Sequence, residues 1–298
     1  MQPSCSIVIA SAAGGDFLLR CLESIAVQAR DHQSEIIVVD RSGDEMRQRI
    51  AASFPNVKVL SADDEPHLSV PSLRLRGVEA AEGEIVCILE EHCAAPSDWL
   101  DVILSSFSEK DSAIGGPILH DNFGRIRDWV VYFSEYNNYL PPWTDGPHEN
   151  LNGANIAYRR EAVLAERETL NDGYWEVVLH PALSRRGELR SVNAMGVRHT
   201  GPFDFAYYLH QRYLLSRVWG GSQRSRVPLA KRIIYLMIAP LLPALLLART
   251  TSRVLKSGAP KGRFALALPL LVPVAVTYVW GEWLGYLLGA GNALERVE

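Results

Sequence analysis

The sequence predicts an α/β protein, with a mostly parallel sheet covered on both faces by helices and a membrane-associated helical region at its C-terminal end. Three observations carry this reading. Strand-like and helix-like segments alternate through the first two hundred residues. The strand-like runs are continuously apolar, as strands buried on both faces are. Charge and hydropathy also divide the chain: residues 1–200 hold 18 Lys and Arg against 30 Asp and Glu, whereas residues 201–298 hold 12 against 4. An acidic globule therefore carries a basic, apolar tail. With 298 residues, 48% hydrophobic and 21% charged, the chain is long enough to bury a core, and its composition excludes disordered, collagenous and disulfide-scaffold classes.

The elements follow in order. Ser6 to Ala10 reads as a strand, Ser11 to Gly15 as a small-residue turn, and Leu18, Leu22, Ile25 and Ala26 mark a helix. Glu35 to Asp40 is a strand ending in an acid, Met46 to Phe54 a helix, Val57 to Leu60 a strand, and Ser72 to Ala81 a helix. Ile85 to Leu89 is a further strand, ending at Glu90, Glu91 and His92. Ligands of parallel sheets bind at the carboxyl ends of the strands, which places polar chemistry at Ser11, Asp40 and Glu90-Glu91-His92. Neither a Walker loop nor Gly-x-Gly-x-x-Gly follows the first strand, so P-loop and dinucleotide-binding functions are disfavoured. Cys5, Cys21, Cys87 and Cys93 lack Cys-x-x-Cys spacing and read as reduced core thiols.

In sequence order, CLESIAVQ, VVDRSGD, RLRGVEAAEGEIVCILEEH, APSDWL and NGANIAYRREAV resemble the GT-A glycosyltransferases of family 2, over about residues 5 to 200. The resemblance implies a GT-A fold and a nucleotide-sugar donor. Ser11 and Asp40 match positions that hold the base and ribose, and Arg74, in Arg-x-x-Gly with Gly77, matches an arginine beside the donor; a solvated helix charge is its alternative reading. Glu90-Glu91-His92 stands where the family has Asp-x-Asp, which implies Glu90 beside the donor and a divalent ion on Glu91 and His92; capping of the loop before Pro96 to Leu100 is the alternative reading of the two acids. His199 either completes that shell or is structural. Imidazole suits Mn²⁺ better than Mg²⁺, and both ions stay open. Asn155, in the NGAN loop, is expected to face the donor sugar. Glu176 matches the base that takes a proton from the acceptor hydroxyl in an inverting transfer, with His180 one turn on as either an acceptor contact or a hydrogen-bonded core histidine. The aromatics between Asn122 and Asn150 suit a sugar or a core equally.

These readings divide the chain into a glycosyltransferase domain at 1–205, with a nucleotide-sugar half to about 105 and an acceptor half from 106. A basic amphipathic interfacial segment follows at 206–232, then hydrophobic membrane helices at 233–290. The N-terminus shows no secretory signal, so the domain is expected on the cytoplasmic side of the cytoplasmic membrane. Tyr207, Tyr208, Tyr213 and Trp219 interleave with Arg212, Arg217, Arg224 and Arg226, and the adjoining apolar runs favour membrane lipids over nucleic acid. The first apolar run, Ile233 to Ala248, reaches ~24 Å against a hydrocarbon core of ~30 Å, and basic residues flank it on both sides. It is therefore expected to lie in plane or re-enter, leaving its loop cytoplasmic. The expected function is membrane-associated transfer of a sugar from a nucleotide-sugar donor to a lipid-linked or polysaccharide acceptor. A polyprenyl-phosphate sugar synthase is the variant reading. A non-catalytic, nucleotide-binding membrane adaptor is the reading from another class, motivated by the missing Asp-x-Asp.

Overall fold

The apolar run Cys5–Ser11 forms β1, buried along its whole length, in a computed structural model that describes residues 3–65, 68–170, 175–201 and 204–297. Gly173 and Tyr174, which lead into Glu176, and Phe203, near the end of the expected glycosyltransferase domain, lie outside the described residues. After β1 come α1 (Asp16–Asp31), β2 (Glu35–Asp40), α2 (Asp44–Ser53), β3 (Val57–Ser61), α3 (Val70–Ala80) and β4 (Ile85–Leu89). Then follow β5 (Cys93–Ala94), α4 (Trp99–Ser106), β6 (Asp111–Gly115), β7 (Ile118–His120), α5 (Ile126–Glu135), β8 (Gly146–Pro147) and β9 (Asn155–Arg159). The chain continues through α6 (Arg160–Leu164), α7 (Arg167–Leu170), α8 (Trp175–Leu183), β10 (Glu188–Ser191) and β11 (Val197–His199). It closes with α9 (Phe205–Gln223), α10 (Leu229–Ile238), α11 (Leu242–Lys256) and α12 (Lys261–Leu288).

Two compact units result, Met1–Asp121 with Pro141–Thr200, and Asn122–Leu140 with Gly201–Glu298. Residues 122–140, read in sequence as part of the acceptor half, group with the C-terminal helices. In the first unit eight strands run in the order β3-β2-β1-β4-β9-β6-β10-β8. The pairs β1 with β2, β1 with β4, and β2 with β3 are parallel, and β9 lies antiparallel between β4 and β6. The register sets Ser11 beside Asp40 and Leu89 beside Asn155, so the ends of β1, β2 and β4 and the start of β9 share one edge. Gly77 lets α3 approach the sheet, since a β-carbon there would collide with Val8; this packing need accounts for the glycine of the Arg-x-x-Gly pattern. A three-stranded sheet, β5-β11-β7, aligns His199 with Cys93. All four cysteines are buried free thiols.

In the second unit α12 packs along α9 through small residues. A β-carbon on Gly281 would strike Ser216 and Tyr213, and one on Gly285 would strike the backbone of Arg217. This small-xxx-small seam brings two backbones together where larger side chains would hold them apart. Trp129, Phe133 and Tyr136 of the aromatic segment are buried, and Phe133 meets Phe264 edge to face at 5.1 Å, so these rings serve packing. Leu229–Lys256 and Lys261–Leu288 are each long and apolar enough to cross a membrane. The first extends four residues before the apolar run expected from sequence, and Pro240 tightens it into a 3₁₀ turn at Ala239–Leu241 without ending it. At 28 residues it reaches about 42 Å, which removes short length as a reason for re-entry.

Gly285→Leu is expected to lower the thermal unfolding midpoint of the detergent-solubilised chain, with a cost above the 1–3 kcal/mol typical of overpacking because the obstacle is backbone. Gly262→Ala, facing open space, should leave the midpoint within a degree or so. Equal midpoints for the two variants would refute the close seam.

Candidate functional site

Sequence places Glu90, Glu91 and His92 as a run of three, and the fold gives them different tasks. Glu91 turns inward, only 4% exposed, and accepts three backbone N–H bonds from the loop after β1: Ala12 and Ala13 donate to Oε1 at 3.2 and 3.1 Å, and Gly14 to Oε2 at 3.1 Å. Gly14 at φ +63° and Gly15 at φ +82° supply the left-handed backbone of this loop. Burial pushes the Glu91 carboxyl upward, against His92 and the three amides, which favour the charged form. Both oxygens are engaged, and the carboxylate clamps the β1–α1 loop, a task the expected metal role of Glu91 did not include.

Glu90 and His92 remain on the open side. Glu90 Oε1 lies 3.9 Å from His92 Nδ1, a separation that two metal–ligand bonds of about 2.1 Å can span. His199, 1% exposed, stacks on His92 with ring centroids 6.2 Å apart. Thr200 ties this strand to the motif, donating from its N–H and its hydroxyl to the His92 carbonyl at 2.7 and 2.8 Å. No cluster of three His, Cys, Asp or Glu side chains close enough to hold an ion occurs among the described residues. The donor set thus fits an ion whose remaining positions are filled by ligand oxygens or water.

The same edge carries a charged pair. Arg74, largely buried, donates from an Nη atom to Glu176 Oε1 at 3.1 Å, which sets aside the solvated-charge reading of Arg74. Both groups lie over Gly153, where a β-carbon would overlap Glu176 Oε1 and crowd Arg74. The glycine of NGAN thus makes room for the pair. Glu90 is adjacent through its backbone, its N–H donating to the carbonyl of Ala154 at 3.0 Å. Glu176 is about one-third exposed, open enough to meet a solute.

Three other expected donor contacts are differently placed. Asn155 is fully buried, its Oδ1 accepting from Trp99 Nε1 at 2.9 Å and its Nδ2 donating to the Met195 carbonyl at 2.5 Å; its expected contact with the donor sugar is corrected, because both ends of the amide are held in the core. Asp40 is also buried. Its Oδ1 accepts from the Ser42 N–H and hydroxyl, and its Oδ2 from the Gly43 N–H at 3.3 Å and from Arg47 at 3.0 Å, so the side chain shapes the β2–α2 loop. Arg47, which no motif flagged, also pairs with Asp44 and Asp63. The Ser11 hydroxyl is buried and finds no hydrogen-bond partner among the described residues. His180 is a core histidine: Nδ1 accepts from the Leu151 N–H at 3.5 Å, Nε2 faces the Tyr158 hydroxyl at 3.0 Å, and burial pushes its pKa down to about 4 despite Glu176.

The family model "Glycosyl transferase family 2" matches residues 6–165. The chain is 32% identical over 137 residues to polypeptide N-acetylgalactosaminyltransferase 12 of Mus musculus, covering 44% of this chain and 23% of that protein. It is 24% identical over 158 residues to the glucosyl-dolichyl phosphate glucuronosyltransferase of Haloferax volcanii, covering 48% of each. The chain thus spans between about a quarter and a half of the length of these curated relatives. Among solved structures, the mannosyltransferase PcManGT from Pyrobaculum calidifontis, in complex with GDP-Man and Mn²⁺, superposes with a TM-score of 0.55 at 14% identity, covering 97% of this chain and 88% of that one. GalNAc-T7 with UDP, GalNAc and Mn²⁺ gives 0.53 at 17% identity, covering 68% and 45%. These likenesses define the fold as GT-A.

The neutral state of His180 has a consequence for stability. Its ring titrates near 6.5 when unfolded and about 4 when folded, so the unfolded chain binds the extra proton between these values and stability falls as pH drops through that window. The loss should reach about 3 kcal/mol at the acid end. Urea unfolding at pH 7 and pH 4.5 should show a smaller difference for His180→Gln than for wild type; equal differences would refute the assignment.

Proposed function

Because the chain belongs to glycosyl transferase family 2, we propose that it transfers a sugar from a nucleotide-sugar donor to a hydroxyl of a lipid-linked acceptor at a membrane, with inversion at the anomeric carbon. The observation that carries this reading is the Arg74–Glu176 pair on Gly153, one residue from the backbone that holds Glu90. On this reading Glu176 is the acceptor-side base and Glu90 the donor-side acid, and their nearness at one edge of the sheet supports it. The similarity to a glucuronosyltransferase named for glucosyl-dolichyl phosphate supports a lipid-linked sugar as acceptor.

In this mechanism Glu176 accepts the proton of the acceptor hydroxyl as that oxygen forms a bond to the anomeric carbon and the bond to the diphosphate oxygen breaks. Arg74 fixes one carboxylate oxygen, leaving the other for the incoming proton. Glu91 and Asp40 hold the loops against which the nucleotide rests. A divalent ion would be held by Glu90 and His92, with His199 behind His92, and when bound it supplies positive charge that neutralises the leaving diphosphate. The membrane assignment rests on the two apolar helices and on the exposed apolar residues of Leu229–Lys256, among them Leu229, Ile233, Met237, Leu241 and Leu245. Basic residues near both ends of this segment suit an element lying in the interface plane.

Glu176→Gln is expected to reduce turnover by about 10² or more with donor binding retained; unchanged turnover on a hydroxyl acceptor would remove Glu176 from the mechanism, and unchanged turnover on a lipid phosphate alone would instead support a polyprenyl-phosphate sugar synthase. Glu90→Gln should raise the Mn²⁺ concentration needed for half-maximal activity while leaving the unfolding midpoint near wild type, whereas Glu91→Ala should lower the midpoint; the opposite pattern would return the ion to Glu91.

Topology is checked separately. Ser257→Cys follows α11, and the native thiols are buried, so a membrane-impermeant thiol reagent should label this variant only after cells are permeabilised. Strong labelling of intact cells would place the loop outside and overturn the in-plane arrangement.

A further inference from the structure

We propose that a cavity in the helical unit binds the phosphate of a single-chain membrane lipid. The cavity, ≈ 370 Å³, lies between the end of α5 and helices α9, α11 and α12. Its wall is of two kinds. Leu246, Leu271 and Val274 line it with apolar side chains, and Arg212, Arg249 and Arg253 line it with basic ones. The charges do not cancel. Glu135 neutralises Arg212 at 2.9 Å, but Arg253 donates only to the uncharged Oδ1 of Asn137 at 2.7 Å, and Arg249 has no carboxylate within ion-pair distance among the described residues. Two cations on one face of α11, at positions i and i+4, therefore line a space whose carboxylate, Glu135, is already paired with Arg212.

The setting favours an anion at headgroup level. Arg249 and Arg253 are exposed toward the C-terminal end of α11, where arginines of a membrane-associated helix meet lipid headgroups. A phosphate matches planar guanidinium donors in charge and geometry. The apolar wall beside them suits a hydrocarbon chain, which a free anion would leave uncovered. The occupant with both properties is a lipid phosphate at the head of a single chain. Its use as the anchor of a glycosyl acceptor rests on the transferase reading; the binding itself does not.

The test uses the full chain in phosphatidylcholine nanodiscs and radiolabelled hexadecyl phosphate. Wild type should bind it saturably, and the double variant Arg249→Gln, Arg253→Gln should bind at least about tenfold more weakly, the loss expected for charge-assisted hydrogen bonds. Arg232→Gln, which removes one positive charge outside the cavity, should bind as wild type. Hexadecylphosphocholine and excess inorganic phosphate should fail to displace the probe from wild type. Equal binding by the double variant, an equal loss in Arg232→Gln, or displacement by either competitor would each overturn the proposal, the two competitor arms requiring no variant to fold. Hydrolysis of the donor without acceptor reads the transferase assignment independently: its persistence alongside failed lipid binding would overturn this site alone.

Discussion

The buried carboxylate of Glu91 is the constraint on which the site depends. It lies just beyond β4, yet its hydrogen-bond partners are the amides of Ala12, Ala13 and Gly14 beyond β1. A charge removed from water needs several donors to remain tolerable, and here the backbone supplies them. Because Glu91 points inward, its neighbours Glu90 and His92 occupy the open side. The β5–β11 pairing and Thr200 then bring His199 to the same place from more than a hundred residues away.

A second buried carboxylate, Asp40, does for the β2–α2 loop what Glu91 does for the β1–α1 loop. The two loops flanking the sheet edge are thus organised by acids that do not themselves face solvent. The polar groups left accessible there include Glu90, 3.9 Å from His92, and Glu176, held by Arg74. Electrostatic preorganisation of this kind costs nothing further when a charged ligand arrives.

The helical unit meets a different constraint. α9 and α12 approach closely because Gly281 and Gly285 carry no side chain, which makes backbone contact the glue between them. Arg212 and Glu135 are paired within it, while Arg249 and Arg253 border the cavity with no carboxylate of the described residues paired to them. Residues 122–140 join this unit, so the aromatic segment that suited a sugar or a core equally belongs to packing.

The sequence by itself determined the order of strands and helices and the acidic ends of β2 and β4, because uninterrupted apolar runs and helical periodicity are local signals. It also determined the family through its motif order, and the division between an acidic domain and a basic apolar tail. What it could not determine is which way each polar side chain turns. Glu90, Glu91 and His92 are equivalent as letters; only the loop after β1, whose three amides donate to Glu91, turns that side chain inward. Asn155 looks like a ligand contact until Trp99 and Met195 are seen to hold both ends of its amide. His180 could serve an acceptor until burial and Tyr158 fix it as neutral core. The pairing of Arg74 with Glu176 across 102 residues, over a glycine that leaves room for both, has no local signature. Hydrogen-bond satisfaction in a buried site is a property of the whole fold, and only the tertiary structure decides it.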